Sequence, residues 1–342
     1  MLGIAKTGSG KTAAFALPIL QQFQKKEASK NRFIKVLVLV PTRELALQVA
    51  NVFRSFSPHL PRKVKTLAVF GGVSINPQMM ALSGTEILVA TPGRLLDLAE
   101  SNAMQLSEVD VLVLDEADKM LNLGFAEEID RIFKLLPKRR QNLLFSATLG
   151  NDVAAIKENL LREPAVISVE EKEEGEQFDL IKQIAYRVSP EKKGPFLRYL
   201  IKNENLQQVL VFVSSTRNAD NLVVKLKKNG LEAMAMHGDK SQGARTEALR
   251  RFKTGQLQVL VATDLASRGI DIQYLPHVIN YDLPRSPKDY VHRIGRTGRA
   301  GTTGEAISLI TPEDEHHFKI IQKKMGKQVE MRESDELDLQ GV

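Results

Sequence analysis

The sequence predicts an α/β fold in two domains, each a mainly parallel sheet with helices on both faces. Short, continuous apolar runs such as Val36-Leu37-Val38-Leu39-Val40 and Val111-Leu112-Val113-Leu114 alternate with helical segments. A run that is apolar at every position suits a strand buried on both sides, which is the habit of parallel sheets. Each run stops at polar residues, and doubly wound sheets hold ligands beyond the carboxyl ends of their strands. The 342 residues exceed one ordinary domain, and the charged stretch Glu170-Glu171-Lys172-Glu173-Glu174-Gly175-Glu176 has no apolar periodicity. Residues 1–168 are therefore expected as the first domain, 169–180 as a linker, 181–325 as the second domain and 326–342 as a C-terminal tail. An exposed loop inside one domain is the alternative to the linker.

Composition narrows the class. With 43% hydrophobic and 26% charged residues the chain reads as globular. A formal net charge of +7 favours a polyanionic partner through phosphate neutralisation, although a merely basic protein has the same balance. There is no Cys, which excludes disulfides and thiolate metal sites and fits a reducing, cytoplasmic compartment. The longest apolar run, Val36 to Val40, is far too short for a membrane span.

In chain order, the first feature is Ala5-Lys6-Thr7-Gly8-Ser9-Gly10-Lys11-Thr12, opening a helix at Ala13 to Leu17. It fits the phosphate-loop pattern at Gly10-Lys11-Thr12, with Ala5 where the pattern has its first Gly. Gly8 and Gly10 let backbone N–H groups curl around phosphate oxygens, and the helix aims its positive end at the same anion. Lys11 can reach the β- and γ-phosphates, and the Thr12 hydroxyl can sit on Mg²⁺. A Gly-rich turn capping a helix is the plainer reading. Strands follow at Val36 to Val40, ending at Pro41; at Ile87 to Ala90, ending at Thr91-Pro92-Gly93; at Val111 to Leu114, ending at Asp115; and at Asn142 to Phe145, ending at Ser146. Asp115 can hold Mg²⁺, and Glu116 can orient and deprotonate an attacking water. Acids after a strand also cap helices; the phosphate loop upstream selects the metal reading.

Beyond the linker, strands are expected at Val209 to Val213, Val259 to Ala262 and His277 to Asn280. His292-Arg293-Ile294-Gly295-Arg296-Thr297-Gly298-Arg299 is dense in cations and glycines. Arg296 and Arg299 are candidates for guanidinium groups supplied to a γ-phosphate from the opposite domain, with a basic surface loop as the alternative. Glu313-Asp314-Glu315-His316-His317 does not read as a metal site, because neighbouring His on a helix point to different faces. The acidic end, Ser334 to Val342, is expected to fray.

Further motifs lie between these: Pro41-Thr42-Arg43-Glu44-Leu45-Ala46, Gly71-Gly72, Thr91-Pro92-Gly93-Arg94, Asp115-Glu116-Ala117-Asp118 and Ser146-Ala147-Thr148 in the first half. The second half has Val211-Phe212-Val213, His237-Gly238-Asp239, Gln242 with Arg245, Ala262-Thr263-Asp264 and Arg268-Gly269-Ile270-Asp271. In this order they resemble the DEAD-box ATP-dependent RNA helicases, and most closely a bacterial RhlE-like member. The resemblance implies two RecA-like domains with ATP in the cleft and single-stranded RNA across both. It implies ATP contacts from Ala5, Lys6, Thr7, Gly8, Ser9, Gly10, Lys11 and Thr12, Mg²⁺ held by Thr12 and Asp115, and the ribose met by Asp271. His292 would meet the Asp115 to Asp118 segment, while Ser146, Thr148 and Asp118 couple the ATP site to RNA. The RNA backbone would be touched by Pro41, Thr42, Arg43, Glu44, Gly72, Thr91, Pro92, Gly93 and Arg94, and from the second domain by Gln242, Arg245, Thr263, Asp264 and Gly269. Small residues, hydroxyls and loop N–H groups grip sugar and phosphate without reading bases, so binding should be largely sequence-independent.

The implied activity is RNA-stimulated ATP hydrolysis coupled to local unwinding of short duplexes or remodelling of RNA–protein assemblies, in ribosome assembly or RNA turnover. The chain departs from the family at its start, where the segment that reads adenine is expected before Ala5 and only Met1-Leu2-Gly3-Ile4 stand. A fragment is the favoured explanation. The alternatives are a catalytically impaired RNA-binding remnant and a DNA translocase.

Overall fold

The computed structural model describes residues 1–5, 9–24, 33–169, 181–264, 275–298 and 304–334. The chain divides into two compact units, Met1–Glu170 and Glu171–Val342.

The first unit holds a seven-stranded, wholly parallel sheet: β1 (Leu2–Ile4), β2 (Val36–Leu39), β3 (Thr66–Val69), β4 (Ile87–Ala90), β5 (Val111–Leu114), β6 (Gln141–Ser146) and β7 (Val166–Ser168), in the order β3-β4-β2-β5-β6-β1-β7. Its helices are α1 (Lys11–Phe23), α2 (Arg43–Phe56), α3 (Asn76–Ala81), α4 (Pro92–Glu100), α5 (Ala117–Asn122), α6 (Ala126–Leu135) and α7 (Asn151–Leu160). The apolar runs become central strands because both faces need covering. Along β2, Leu37 and Leu39 join one core layer while Val36 and Val38 join the other. β5 does the same, with Leu112 and Leu114 on one side and Val111 and Val113 on the other.

The second unit repeats the plan with β8 (Ile181–Arg187), β9 (Val209–Phe212), β10 (Ala233–Met236), β11 (Val259–Ala262), β12 (His277–Asn280), β13 (Gly304–Ile310) and β14 (Glu330–Glu333). The order is β10-β11-β9-β12-β13-β8-β14, again all parallel. Helices α8 (Lys193–Asn203), α9 (Thr216–Lys228), α10 (Gln242–Lys253), α11 (Pro287–Ile294) and α12 (Glu315–Met325) cover it.

One expected boundary changes. Residues 330–333, assigned to the tail, pair with Ile184 to Arg187 as an edge strand, and the Ser334 hydroxyl donates to the Arg187 carbonyl at 2.6 Å. The run Glu-Met-Arg-Glu carries no apolar pattern, because an exposed edge strand needs only its backbone to pair. Residues 335–342, and 170–180 of the expected linker, lie outside the described residues.

Candidate functional site

In the first unit every candidate group follows the carboxyl end of a strand. β1 is inserted between β6 and β7, with Ile4 opposite Ser146 and the Ala5 N–H donating to the Ser146 carbonyl at 3.1 Å. Lys6, Thr7 and Gly8 lie outside the described residues. Gly10 has φ +84°, in the left-handed region, and a Cβ there would meet no atom within 4 Å. Glycine is therefore required by the backbone turn and not by crowding. Gly10 has no side chain to cap the helix that starts at Lys11, and Ser9 is exposed beside it, an arrangement suited to an anion. Lys11 donates from Nζ to the Ala5 carbonyl, and Thr12 is half-buried next to it.

Asp115 and Glu116 leave the central strand β5 and are only 2% and 5% exposed. The Asp115 carboxylate accepts the Glu116 N–H at 3.0 Å. Burial first, and then the neighbouring Glu116 charge, push the Asp115 carboxyl up to about 7, while Lys11 pulls it down. The Lys11 charge thus acts on the acid at the end of β5. Glu116 adopts φ +55°, a left-handed conformation costly for a residue with a side chain. It stands at the start of α5, but its side chain does not cap the helix; Lys119 donates to it at 2.7 Å. Glu116 therefore does not serve as a side-chain cap.

At the end of β6, the Ser146 hydroxyl donates to the Thr148 carbonyl at 2.7 Å, and the Thr148 hydroxyl donates to Asp118 at 3.4 Å. Ser146 and Thr148 close a turn and also tie β6 to the acidic segment. The remaining candidates gather beyond the adjacent strands β3, β4 and β2. Pro41 ends the β2 segment. Thr42 caps α2, accepting the Leu45 N–H at 3.3 Å, with Arg43 and Glu44 in the first turn. Thr91 precedes α4, which Pro92 and Gly93 begin. Gly72 has φ +72°, and a Cβ built on it would fall inside the Arg43 guanidinium, so the two motifs interlock. Arg94, expected to touch the RNA backbone, is 7% exposed; it donates to the Val73 carbonyl at 2.8 Å and to Asp97 at 3.2 Å. Its charge braces the loop after Gly72.

In the second unit Gln242 and Arg245 occupy the first turn of α10, which Ser241 caps by accepting the Ala244 N–H at 3.3 Å. Thr263 and Asp264 follow β11. Arg293 grips Asp264 through two bonds of 2.6 and 2.8 Å, and also donates to Asn280 and to the Asp282 carbonyl. His292 is exposed on α11, and Arg296 is half-buried just past its end. Gly269, Asp271 and Arg299 lie outside the described residues. Sequence reasoning gave Arg293 no role. Helical spacing offered the signal, since 292 and 296 share a face and 293 turns inward, where it is 2% exposed. His317 meets the Pro284 carbonyl at 2.7 Å, a structural contact.

Comparison with known proteins accounts for this arrangement. Residues 1–156 match the DEAD/DEAH box helicase family, and residues 192–301 match the helicase conserved C-terminal domain. The chain is 40% identical to the DEAD-box ATP-dependent RNA helicase CshA of Geobacillus kaustophilus over 339 residues, 99% of this chain and 71% of that protein. The chain belongs to the DEAD/DEAH box helicases. It is also 41% identical to the ATP-dependent RNA helicase CshA of Listeria monocytogenes over 96% of its own length, but spans only 62% of that relative. The relatives carry the name CshA, so the RhlE-like assignment does not follow from them. Among solved structures it is similar to S. cerevisiae Dbp5 bound to RNA and ADP BeF3, with a TM-score of 0.81, 31% identity, and coverage of 98% of this chain and 85% of that one. Two parallel seven-stranded sheets covered by helices are the RecA-like architecture of this helicase family. Among the described residues no helix is long and apolar enough to cross a membrane.

Proposed function

We propose that this DEAD-box chain is an ATP-dependent RNA helicase, coupling ATP hydrolysis to local unwinding of short RNA duplexes or remodelling of RNA–protein assemblies. The observation that carries the proposal is the convergence of the Gly10-Lys11 helix start with the buried Asp115–Glu116 pair. Phosphoryl transfer to water needs that combination: N–H groups and a lysine for the phosphates, one acid for a metal, one for the water. The donor set fits Mg²⁺, with the Thr12 hydroxyl and the Asp115 carboxylate as its holders; burial without a strong cation partner already strains that carboxylate. Held there, the ion would neutralise phosphate charge. Glu116 takes the proton of the attacking water, Lys11 holds the terminal phosphates, and Ala5 to Thr12 cradle them. Arg296 and Arg299 supply guanidinium charge to the γ-phosphate from the second unit, His292 answers the Asp115–Asp118 segment, and Asp271 holds the ribose.

RNA lies along the residues beyond β2, β3 and β4 (Pro41 to Glu44, Gly72, Thr91 to Arg94) and along Gln242, Arg245, Thr263, Asp264 and Gly269. The Ser146–Thr148–Asp118 link carries strain between the two ligands. A cytoplasmic place in ribosome assembly or RNA turnover is the context this chemistry suits. The test is ATP hydrolysis with and without single-stranded RNA. Stimulation by RNA, and its loss in Glu116→Gln, are expected. A Glu116→Gln chain turning over at the parent rate would refute the mechanism, and stronger stimulation by DNA than by RNA would favour a DNA translocase.

A further inference from the structure

Helix α11 is fastened to the second sheet by a buried polar row. Phe212, Asn280 and Ser308 stand opposite one another on the neighbouring strands β9, β12 and β13. Gln183 lies on the next strand, β8, on the same face as Ala185, the residue opposite Ser308. Tyr290 and Arg293, three apart on α11, turn inward onto this row and are 0% and 2% exposed.

Hydrogen bonds join these residues in a single direction. The Arg293 guanidinium lies 4.9 Å over the Phe212 ring and donates to the Asn280 side-chain oxygen at 3.1 Å. The Asn280 amide donates to the Ser308 hydroxyl oxygen at 3.2 Å, which leaves the Ser308 proton for the Tyr290 oxygen at 3.2 Å. The Tyr290 hydroxyl donates in turn to Gln183 at 3.4 Å. Burial pushes the Tyr290 phenol up to about 12, so it stays protonated and able to donate. At the other end Arg293 holds Asp264 and the Asp282 carbonyl. Asn280, Ser308 and Tyr290 are fully buried, and each both donates and accepts. A buried polar group that loses its partner is costly, so the chain resists rotation or sliding of α11 in a way that the apolar contacts of Ile294 alone do not.

The outward face of α11 gives this fastening a consequence. The Gly295 N–H donates to the Val291 carbonyl at 2.9 Å and the Arg296 N–H to the Arg293 carbonyl at 3.1 Å, so Arg296 moves with the helix. We propose that Tyr290 is a positioning residue for Arg296: its hydroxyl, through the chain to Arg293, sets the orientation in which α11 presents that guanidinium to the γ-phosphate. This role rests on the reading of Arg296 given above. A charge that stabilises a transition state must be held in place before the reaction, and its hold comes from residues that never meet the substrate.

The experiment measures RNA-stimulated ATP hydrolysis by the full chain, together with hydrogen exchange of the peptide covering residues 287–297. Tyr290→Phe removes one hydroxyl and keeps the ring. Turnover should fall about tenfold, within the about 100-fold that a 1 Å misplacement costs, with KM for ATP within about twofold of the parent. Exchange in the peptide should quicken about tenfold. Ser308→Ala breaks the next link and should reproduce both effects. In an Arg296→Ala background, itself slowed about 1,000-fold, Tyr290→Phe should cost almost nothing further, because its effect passes through the missing guanidinium. Parent-like turnover and exchange in Tyr290→Phe or in Ser308→Ala would overturn the proposal. So would an equal fold-loss from Tyr290→Phe with and without Arg296, which is what a merely structural hydroxyl gives. An Arg296→Ala chain that hydrolyses ATP at the parent rate removes the reading of Arg296 instead, and the two failures are distinguishable.

Discussion

The two units have the same sheet order and set unlike chemistry on it. In the first, the helix that follows β1 opens with Lys11, whose Nζ rests on the Ala5 carbonyl, leaving donors for an incoming phosphate. In the second, the helix that follows β8 opens with Lys193, and this lysine is already committed. It meets Asp282 at 3.3 Å and lies 5.1 Å over the ring of Tyr281. The acids differ in the same sense. Burial drives Asp115 upward with little to offset it. Burial also pushes Asp282 upward, but Lys193 and the Ser214 N–H and hydroxyl outweigh it and hold the carboxyl below its ordinary range. The frame is shared; the partners of one lysine and one carboxylate decide which unit can work on a phosphate.

Substitutions at the paired positions should separate these roles. The largest effect is expected in Glu116→Gln, with turnover of RNA-stimulated ATP hydrolysis falling at least about 100-fold while the melting temperature stays near that of the parent. Lys193→Met should do the opposite, costing about 3 kcal/mol in denaturant unfolding because Asp282 is left buried without its cation. Adding Asp282→Leu to that variant should recover most of the loss; a Lys193→Met chain of parent stability would erase the contrast between the units.

Asp115→Asn isolates the cost of the unneutralised acid. The native state holds a proton on Asp115 that the unfolded chain releases, so the penalty is absent below pH 3.8 and grows as pH rises through about 7. The variant should therefore be more stable than the parent by a few kcal/mol well above pH 7, and should lose that advantage in acid. Gly72→Ala should cost about 1–2 kcal/mol for the left-handed backbone alone and should also displace Arg43, weakening RNA binding. The smallest effect is expected at Glu305 in the second sheet, where the His277 ring 3.6 Å away and then the Lys182 ammonium bring the carboxyl down to about 2 against burial. Its contribution is present above pH 4.5 and lost as pH falls toward 2, and Glu305→Gln should flatten that part of the acid unfolding curve.

The readable strands were those buried on both faces. Ile87 to Ala90, Val111 to Leu114, Val259 to Ala262 and His277 to Asn280 became strands at those residues. Among the edge strands, β7 and β14 are exposed at every position, whereas β3 and β10 are buried at three of four positions and their short apolar runs were not singled out. At the site, the loop and acids were legible from their spacing, because phosphate chemistry fixes both. The buried bracing role of Arg94 and the grip of Arg293 on Asp264 were not, since a charged side chain looks the same in sequence whether it faces water or a partner.

The sequence by itself determined two parallel α/β units and the strand ends that carry their reactive groups, because apolar patterning and turn chemistry act over a few neighbouring residues. Only the tertiary structure decided which of those groups are neutralised. Lys193 meets Asp282 across 89 residues of chain and Arg293 meets Asp264 across 29. Such pairings depend on where the sheet brings strand ends together, and the electrostatic state of each group follows from that meeting.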